Sequence, residues 1–427
     1  MFRFIHAADL HLDSPLHGLR AFDGAPVERL RSAPRRALEN LVDFAIEQKV
    51  SFLLIAGDVF DGDWKDYGTG QFFVRQMARL RECDIPVYLI SGNHDAQNKM
   101  TRALAYPSNV HVFPTDRPDT VRLDALEVAI HGQGFANQSV TEDLSANYPK
   151  PIPGWINIGL LHTSCTGREG HENYAPCTIE GLRSRGYDYW ALGHIHKREE
   201  LLDDPWIIFP GNIQGRHAKE TGPKGCYLLN VDEHRRITPT FHPIDDLRWE
   251  YLPVDVSEIE SINQVQERFV KPLESLVEES GEKLLAIRVA LVGQTAIHRK
   301  LRTEREFIAQ ECQAIATGIA RDRVWIEKVE ANTSLPKEVE SESAVSEDVL
   351  AAILGVLEEA KKDPSILADF SMDDVRGKLP LTLRSSSATS DSPLTNSTSD
   401  WLMGKNSILE SAKERLIEIL ASQEENV

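Results

Sequence analysis

The chain has 427 residues, 41% hydrophobic and 26% charged, with no apolar run of membrane-spanning length, which excludes collagen-like, wholly disordered and membrane-embedded classes. Its formal net charge of −19 argues at first against a nucleic-acid partner. From Pro336 onward, however, 9 basic residues stand against 18 acidic ones, so about half the excess lies in the last fifth of the chain.

In chain order, residues 2–8 read as a buried strand, 35–48 as an amphipathic helix, 51–56 as a strand, 71–81 as a helix and 86–90 as a strand. Apolar runs at 156–161, 189–192, 206–209 and 225–231 add further strands. Strands with intervening helices early, then closely spaced strands, predict an α/β fold: a two-sheet sandwich flanked by helices, occupying residues 1–245. The pattern then changes. Strand 249–254, helix 261–279, strand 283–292, a basic helical segment 296–319 and strand 323–329 predict a small α+β domain over 246–335. Residues 336–427 read as a helical C-terminal region, with helices at 346–362 and 401–422 around a serine-rich linker at 385–399. The five cysteines (Cys83, Cys165, Cys177, Cys226, Cys312) are never spaced C-x-x-C, which argues against a disulfide framework or zinc ribbon and for a reducing, cytoplasmic setting. Charge arrives by Asp9, too soon for a secretory hydrophobic region.

Each early strand ends in a polar cluster: Asp9-Leu10-His11, Gly57-Asp58, Gly92-Asn93-His94-Asp95, His162 and Gly193-His194-Ile195-His196. The carboxyl ends of strands are where open α/β sheets bind ligands. Asp9 and His11 stand two apart, as do His194 and His196, a spacing that projects both side chains from one face of an extended strand. Carboxylate, amide and imidazole without thiolate suit Mn²⁺, Fe²⁺ or Zn²⁺. Two such ions about 3.5–4 Å apart, sharing a carboxylate, can clamp an in-line phosphoryl displacement, and Asp58 is the natural bridge. One cluster alone is an ordinary turn signal; five in order, each directly after an apolar strand, are not. His6 and His131 lie on strands, where buried hydrogen-bonded roles are expected. Cys165 is expected to be a small packing residue, and Arg35 and Arg36 to face solvent.

These ordered motifs resemble those of the calcineurin-like metallophosphoesterases: D-x-H, G-D, G-N-H-[DE], H and G-H-x-H. Within that family, Ala8-Asp9-Leu10-His11-Leu12-Asp13-Ser14-Pro15, Gly57-Asp58-Val59-Phe60-Asp61 and Ser91-Gly92-Asn93-His94-Asp95 are similar to the bacterial SbcD- and YhaO-type DNA-repair exonuclease subunits, as is Gly211-Asn212-Ile213-Gln214-Gly215-Arg216-His217. The likeness covers residues 2 to about 231; the following domain is similar to the family's capping domain in position and size only. The resemblance implies that Asp9, His11, Asp58 and His196 hold one metal ion and Asp58, Asn93, His162 and His194 the other, with Mn²⁺ expected at both. It implies that His94 faces the scissile phosphate, stabilises developing charge and assists departure of the 3′ oxygen, with Asp95 orienting it. The position three after the bridging aspartate is Asp61, as in bacterial members, where archaeal and eukaryotic relatives carry histidine.

Phosphoprotein phosphatases follow the bridging aspartate with Asp-Arg-Gly, whereas here the chain continues Val59-Phe60-Asp61-Gly62. The arginine that grips a phosphomonoester dianion is missing from that place, and a diester, with less charge to neutralise, fits better. Arg216 and His217 are candidates for touching substrate phosphate, the alternative being a structural hydrogen bond. Arg299, Lys300 and Arg302, in the densest basic stretch, are candidate DNA contacts, the alternative being a solvated helix face. From the resemblance come a 3′-to-5′ exonuclease activity on duplex DNA, endonuclease action on single strands, an SbcC-like SMC-type coiled-coil ATPase as partner, and a homodimer. The 401–422 helix has the form of a partner-binding segment, or packs back on its own body. A phosphodiesterase for a small nucleotide and an inactive scaffold regulating the ATPase are the other readings. No membrane partner is expected.

Overall fold

Alternation of large apolar side chains to opposite faces builds the first sheet. The chain runs through β1 (Phe2–Ala7), α1 (Val27–Glu47), β2 (Phe52–Ala56), α2 (Tyr67–Glu82), β3 (Val87–Ile90), α3 (Asn93–Gln97) and β4 (Val110–Val112). A second sheet takes β5 (Asp119–Leu123), β6 (Val128–Gly132), β7 (Ile156–His162), then, after α4 (Ile179–Ser184), β8 (Tyr189–Gly193), β9 (Glu199–Asp203) and β10 (Trp206–Phe209). β11 (Gly225–Val231) and β12 (Ile237–Pro243) return to the first, giving the orders β12-β11-β1-β2-β3-β4 and β5-β6-β7-β8-β10-β9. This computed structural model describes residues 1–14, 26–61, 67–97, 104–165 and 174–336.

Phe4, Phe52 and Leu54 turn inward and meet Ile158, Leu160 and Tyr189 between the sheets. Their neighbours Ile5, Leu53 and Ile55 turn the other way, against Leu38 and Leu41 of α1 and Phe73 and Met77 of α2. Beyond the second sheet, Trp190 and Leu161 pack with Leu182 of α4. Both sheets are therefore covered by apolar contacts on two faces, the expected two-sheet sandwich flanked by helices.

A third, parallel sheet follows in the order β13 (Leu247–Asp255), β14 (Leu284–Gln294), β15 (Val324–Ser334). Its helices are α5 (Ile262–Ser280), α6 (His298–Thr303) and α7 (Arg305–Ala320). The basic segment expected as one helix is thus two. Thr303 Oγ1 donates to the Lys300 carbonyl at 3.1 Å, a side-chain bond that competes with the helical ladder, and Glu304 leaves helical geometry at φ −100° and ψ 21°.

Helix α1 also begins earlier than expected, running through Pro34. Leu30 and Ala33, in that extra length, pack on Leu247, Trp249, Leu284, Ala286 and Trp325 of the third sheet. Burial there outweighs the local cost of proline inside a helix. The same junction holds the loop between β10 and β11. Gln214 Oε1 accepts from the Asp246 and Leu247 amides at 2.9 and 3.2 Å, and Trp249 Nε1 donates to the Gly215 carbonyl at 3.1 Å. Asp245, fully buried, is paired with Arg248 at 2.9 Å and Lys283 at 3.1 Å. The third sheet thereby fixes a loop that reaches the first two sheets' carboxyl ends.

Among the described residues no helix is long and apolar enough to cross a membrane. The helices and serine-rich linker expected beyond residue 336 lie outside the described residues.

Candidate metal centre

Every cluster singled out from the sequence sits at the carboxyl end of a strand: Asp9 and His11 after β1, Asp58 after β2, Asn93 and His94 after β3, His162 at the end of β7, and His194 and His196 after β8. The turns that put them there are unusual. Asp9, His11, Asp58 and His194 have φ of 51°, 42°, 50° and 103°, a left-handed region that costs a residue with a Cβ about 1–3 kcal/mol. Four such residues at one point of the fold mark a site held against local preference. The approach is also close: a Cβ on Gly92 would lie 2.2 Å from Asp58 Oδ1, and one on Gly193 would lie 1.9 Å from the Ala56 carbonyl oxygen.

The side chains converge. Ligand atoms of Asp9, His11 and His196, of His11, Asp58 and His94, and of Asp58, His162 and His194 lie within 4.8 Å of one another in each group. Asp58 belongs to two of these groups, the position expected of a bridge. Its Oδ2 is 3.8 Å from His11 Nε2 and 3.4 Å from His162 Nε2, and its Oδ1 accepts the His94 backbone N–H at 3.0 Å. Asn93 Oδ1 is 2.9 Å from His162 Nε2, which adds the amide to that group. Asp9 accepts the His194 N–H on both oxygens at 3.0 Å.

The donor set fits divalent cations by its chemistry. His162 Nδ1 donates to the Ala56 carbonyl at 2.9 Å and His196 Nδ1 faces Glu220 Oε1 at 2.8 Å, so each ring turns Nε2 towards the centre. Burial opposes the His162 cation, but the Asp58 and Asp9 carboxylates raise its pKa to about 9, so a metal ion there would displace its Nε2 proton. His11 Nε2 and His196 Nε2 approach to 3.0 Å, two imidazole nitrogens aimed at one point. Burial lowers the pKa of His11 and brings His196 to about 3, which keeps both neutral, the form that ligates. Burial also pushes the Asp9 carboxyl up to about 8, a penalty on its charge that bound cations would offset. Burial acts upward on Asp58 too, but the charge and hydrogen bond of His162 hold it well below the carboxylate range.

His94 differs from the others. Its side chain is 34% exposed, and Nδ1 lies 2.9 Å from Asp61 Oδ1. Burial works against its charged form, but the Asp61 hydrogen bond and the Asp58 charge raise its pKa. The orienting carboxylate is therefore Asp61 and not Asp95, a correction to the sequence-based expectation. Asp95 points the other way from its short helix and accepts backbone N–H groups of Val59, Phe60 and Gly92 at 3.2, 3.0 and 3.0 Å. It ties the turn after β2 to the turn after β3.

Arg216 is engaged with protein carboxylates, 3.1 Å from Glu220 and 3.5 Å from Asp61. His217 stands on the same loop, 55% exposed. Arg299, Lys300 and Arg302 lie on α6, beside the third sheet, with Lys300 4.0 Å from Glu304. Arg35 does not face open solvent as expected: its Nε donates to Asp13 Oδ1 at 2.8 Å, and Thr69 donates to the same carboxylate. Arg36 is exposed, 3.7 Å from Asp246. His6 bonds Tyr189 and the Leu192 carbonyl, His131 bonds Thr120 and Asn157, and Cys165 is packed in the second sheet's outer core, all as expected. Glu220 and the Asp61–His94 pair were not legible in advance, because loop closure brings them to their partners.

Residues 2–198 match the calcineurin-like phosphoesterase family, and residues 249–334 match the middle domain of metallophosphoesterase YhaO. The uncharacterized metallophosphoesterase YhaO of Bacillus subtilis is 37% identical over 300 residues, 68% of this chain and 71% of that protein. The chain belongs to the calcineurin-like metallophosphoesterase family. It is accordingly a metal-dependent phosphoester hydrolase with a centre for two divalent cations. The phosphoesterase is also 22% identical to the DNA double-strand break repair protein Mre11 of Methanopyrus kandleri over 402 residues, 88% of this chain and 82% of that one. Among solved structures, a dimetal phosphatase from Danio rerio superposes with a TM-score of 0.35 at 12% identity, covering 57% of this chain and 96% of that one.

Proposed function

We propose that this phosphoesterase is a DNA-repair exonuclease subunit, cleaving backbone diesters with two Mn²⁺ ions. In that role Asp9, His11, Asp58 and His196 hold one ion, and Asp58, Asn93, His162 and His194 the other. The observation that carries the proposal is the Asp61–His94 pair: one half-exposed imidazole at the edge of the buried cluster, anchored through Nδ1 at 2.9 Å. Anchoring leaves His94 Nε2 to face a substrate and hand a proton to a departing sugar oxygen, a poor leaving group that needs one. Divalent cations, when bound, neutralise phosphoryl oxygens and make water a stronger nucleophile at neutral pH. The run Val59-Phe60-Asp61-Gly62 after the bridging aspartate lacks the dianion-gripping arginine of phosphatases, and Arg216 is committed to Asp61 and Glu220. Both features favour a diester. The likeness to an archaeal double-strand break repair protein supports DNA as the polymer.

The remaining proposals are 3′-to-5′ polarity on duplex, endonuclease action on single strands, a homodimer, an SbcC-like SMC-type ATPase as partner, and a cytoplasmic setting. Digestion of end-labelled duplex DNA, with and without such an ATPase, tests the function. Mn²⁺ is expected to support stepwise shortening from the 3′ end, Mg²⁺ to support less, and a chelator to abolish it. Turnover of cyclic nucleotides with no action on DNA would instead identify a small-nucleotide phosphodiesterase. Intact DNA and intact small diesters, with Mn²⁺ and ATPase present, would identify a scaffold.

A further inference from the structure

His196 Nδ1 has two neighbours that demand opposite protonation. Glu220 Oε1 lies 2.8 Å away and can only accept a hydrogen bond; Arg216 Nη2 lies 3.0 Å away and can only donate one. If Nδ1 carries the proton, it donates to Glu220 and the Nε2 lone pair is available inward. If Nδ1 accepts from Arg216, the proton sits on Nε2, aimed at His11 Nε2 at 3.0 Å, and the ring cannot ligate. We propose that Glu220 is a positioning residue that holds His196 in the Nδ1–H tautomer against Arg216, and so sets the affinity of one of the two cation positions. The inference rests on the reading of His196 as a metal ligand.

The surroundings of Glu220 support that assignment. Its Oε1 also accepts from Arg216 Nη2 at 3.1 Å and Nε at 3.4 Å, so the guanidinium has a charged acceptor that competes with the imidazole for it. Its Oε2 accepts from Asn212 Nδ2 at 2.9 Å and the Arg216 backbone N–H at 2.7 Å. Both oxygens are thus occupied as acceptors. The whole loop is pinned to the third sheet through Gln214 and Trp249.

The isosteric variant Glu220→Gln makes the idea testable. To keep the Asn212 and Arg216 N–H bonds, the glutamine must place its carbonyl at the Oε2 position and its NH₂ against His196 Nδ1. That supplies a second donor to Nδ1 and drives the proton to Nε2. The experiment is Mn²⁺ titration of the full-length chain followed by electron paramagnetic resonance, with ¹⁵N NMR of the metal-free protein to read the His196 tautomer, assigned by loss of signal in His196→Gln.

Wild type is expected to bind two Mn²⁺ with His196 protonated on Nδ1. Glu220→Gln is expected to weaken one position by about 10–100-fold and leave the other within about a factor of two, with the proton on Nε2. Wild type binding two ions while Glu220→Gln binds both equally well would overturn the role of Glu220 alone. Wild type binding fewer than two would overturn the metal-centre reading with it. Nε2–H in metal-free wild type overturns the proposal however the variant behaves.

Discussion

Asp58→Ala is expected to release both cations and to lower diester cleavage by more than about 10³-fold, beyond what one electrostatic contact to a transition state contributes. The reason is geometric. Asp58 is common to the clusters on either side of it, with Oδ2 at 3.8 Å from His11 Nε2 and 3.4 Å from His162 Nε2. Removing any outlying ligand leaves one position largely intact; removing the shared carboxylate damages both. It also deprives the His94 amide of its acceptor, so the turn after β3 loosens in the same step. Metal content after gel filtration, measured alongside rate, checks this. Two retained equivalents of Mn²⁺ with full cleavage would refute the bridging role.

His94→Ala is expected to behave differently, keeping two cations but cleaving the proposed DNA substrate about 10²–10⁴-fold more slowly, the usual worth of a positioned proton donor. Alanine retains the backbone N–H that holds Asp58, so the metal cluster keeps its framework. The defect should depend on the leaving group. Bis-p-nitrophenyl phosphate expels an anion stable without a proton, so on that substrate the loss is expected to shrink towards the lower end of that range or below it. Equal losses on both substrates would show that His94 acts on charge or binding and transfers no proton. Asp61→Asn, which weakens the anchor at 2.9 Å, is expected to share the leaving-group dependence with a smaller effect.

The cation cluster was legible in the sequence because each of its parts is local. An apolar run of four to seven residues fixes a strand, the following two to four residues form its end, and Asp9, Asp58, Asn93, His162 and His194 all occupy such ends. Order along the chain then stands in for position in space. What stayed hidden depends on contacts between distant segments. Asp95 adjoins His94 in sequence whereas Asp61 lies 33 positions before it, and only the fold shows that Asp95 turns to backbone amides while Asp61 meets the imidazole. Glu220 reads as an unremarkable acid in a loop until that loop closes over His196.

The missed strands have a similar cause. β4, β5, β9 and β12 are edge strands, largely half-exposed or exposed and, in β12, carrying Pro239 and Pro243, so none shows the apolar run of a buried strand. Helix α1 extends through Pro34 because the third sheet buries Leu30 and Ala33, a contact with partners more than 200 positions away in sequence.

The most direct test of the central claim is a diffraction measurement at the manganese absorption edge on crystals grown with Mn²⁺. Two anomalous peaks about 3.5–4 Å apart, one on either side of the Asp58 carboxylate, are predicted. A single peak, or density at a place that Asp58 does not touch, would contradict the shared-carboxylate centre on which the proposed chemistry depends.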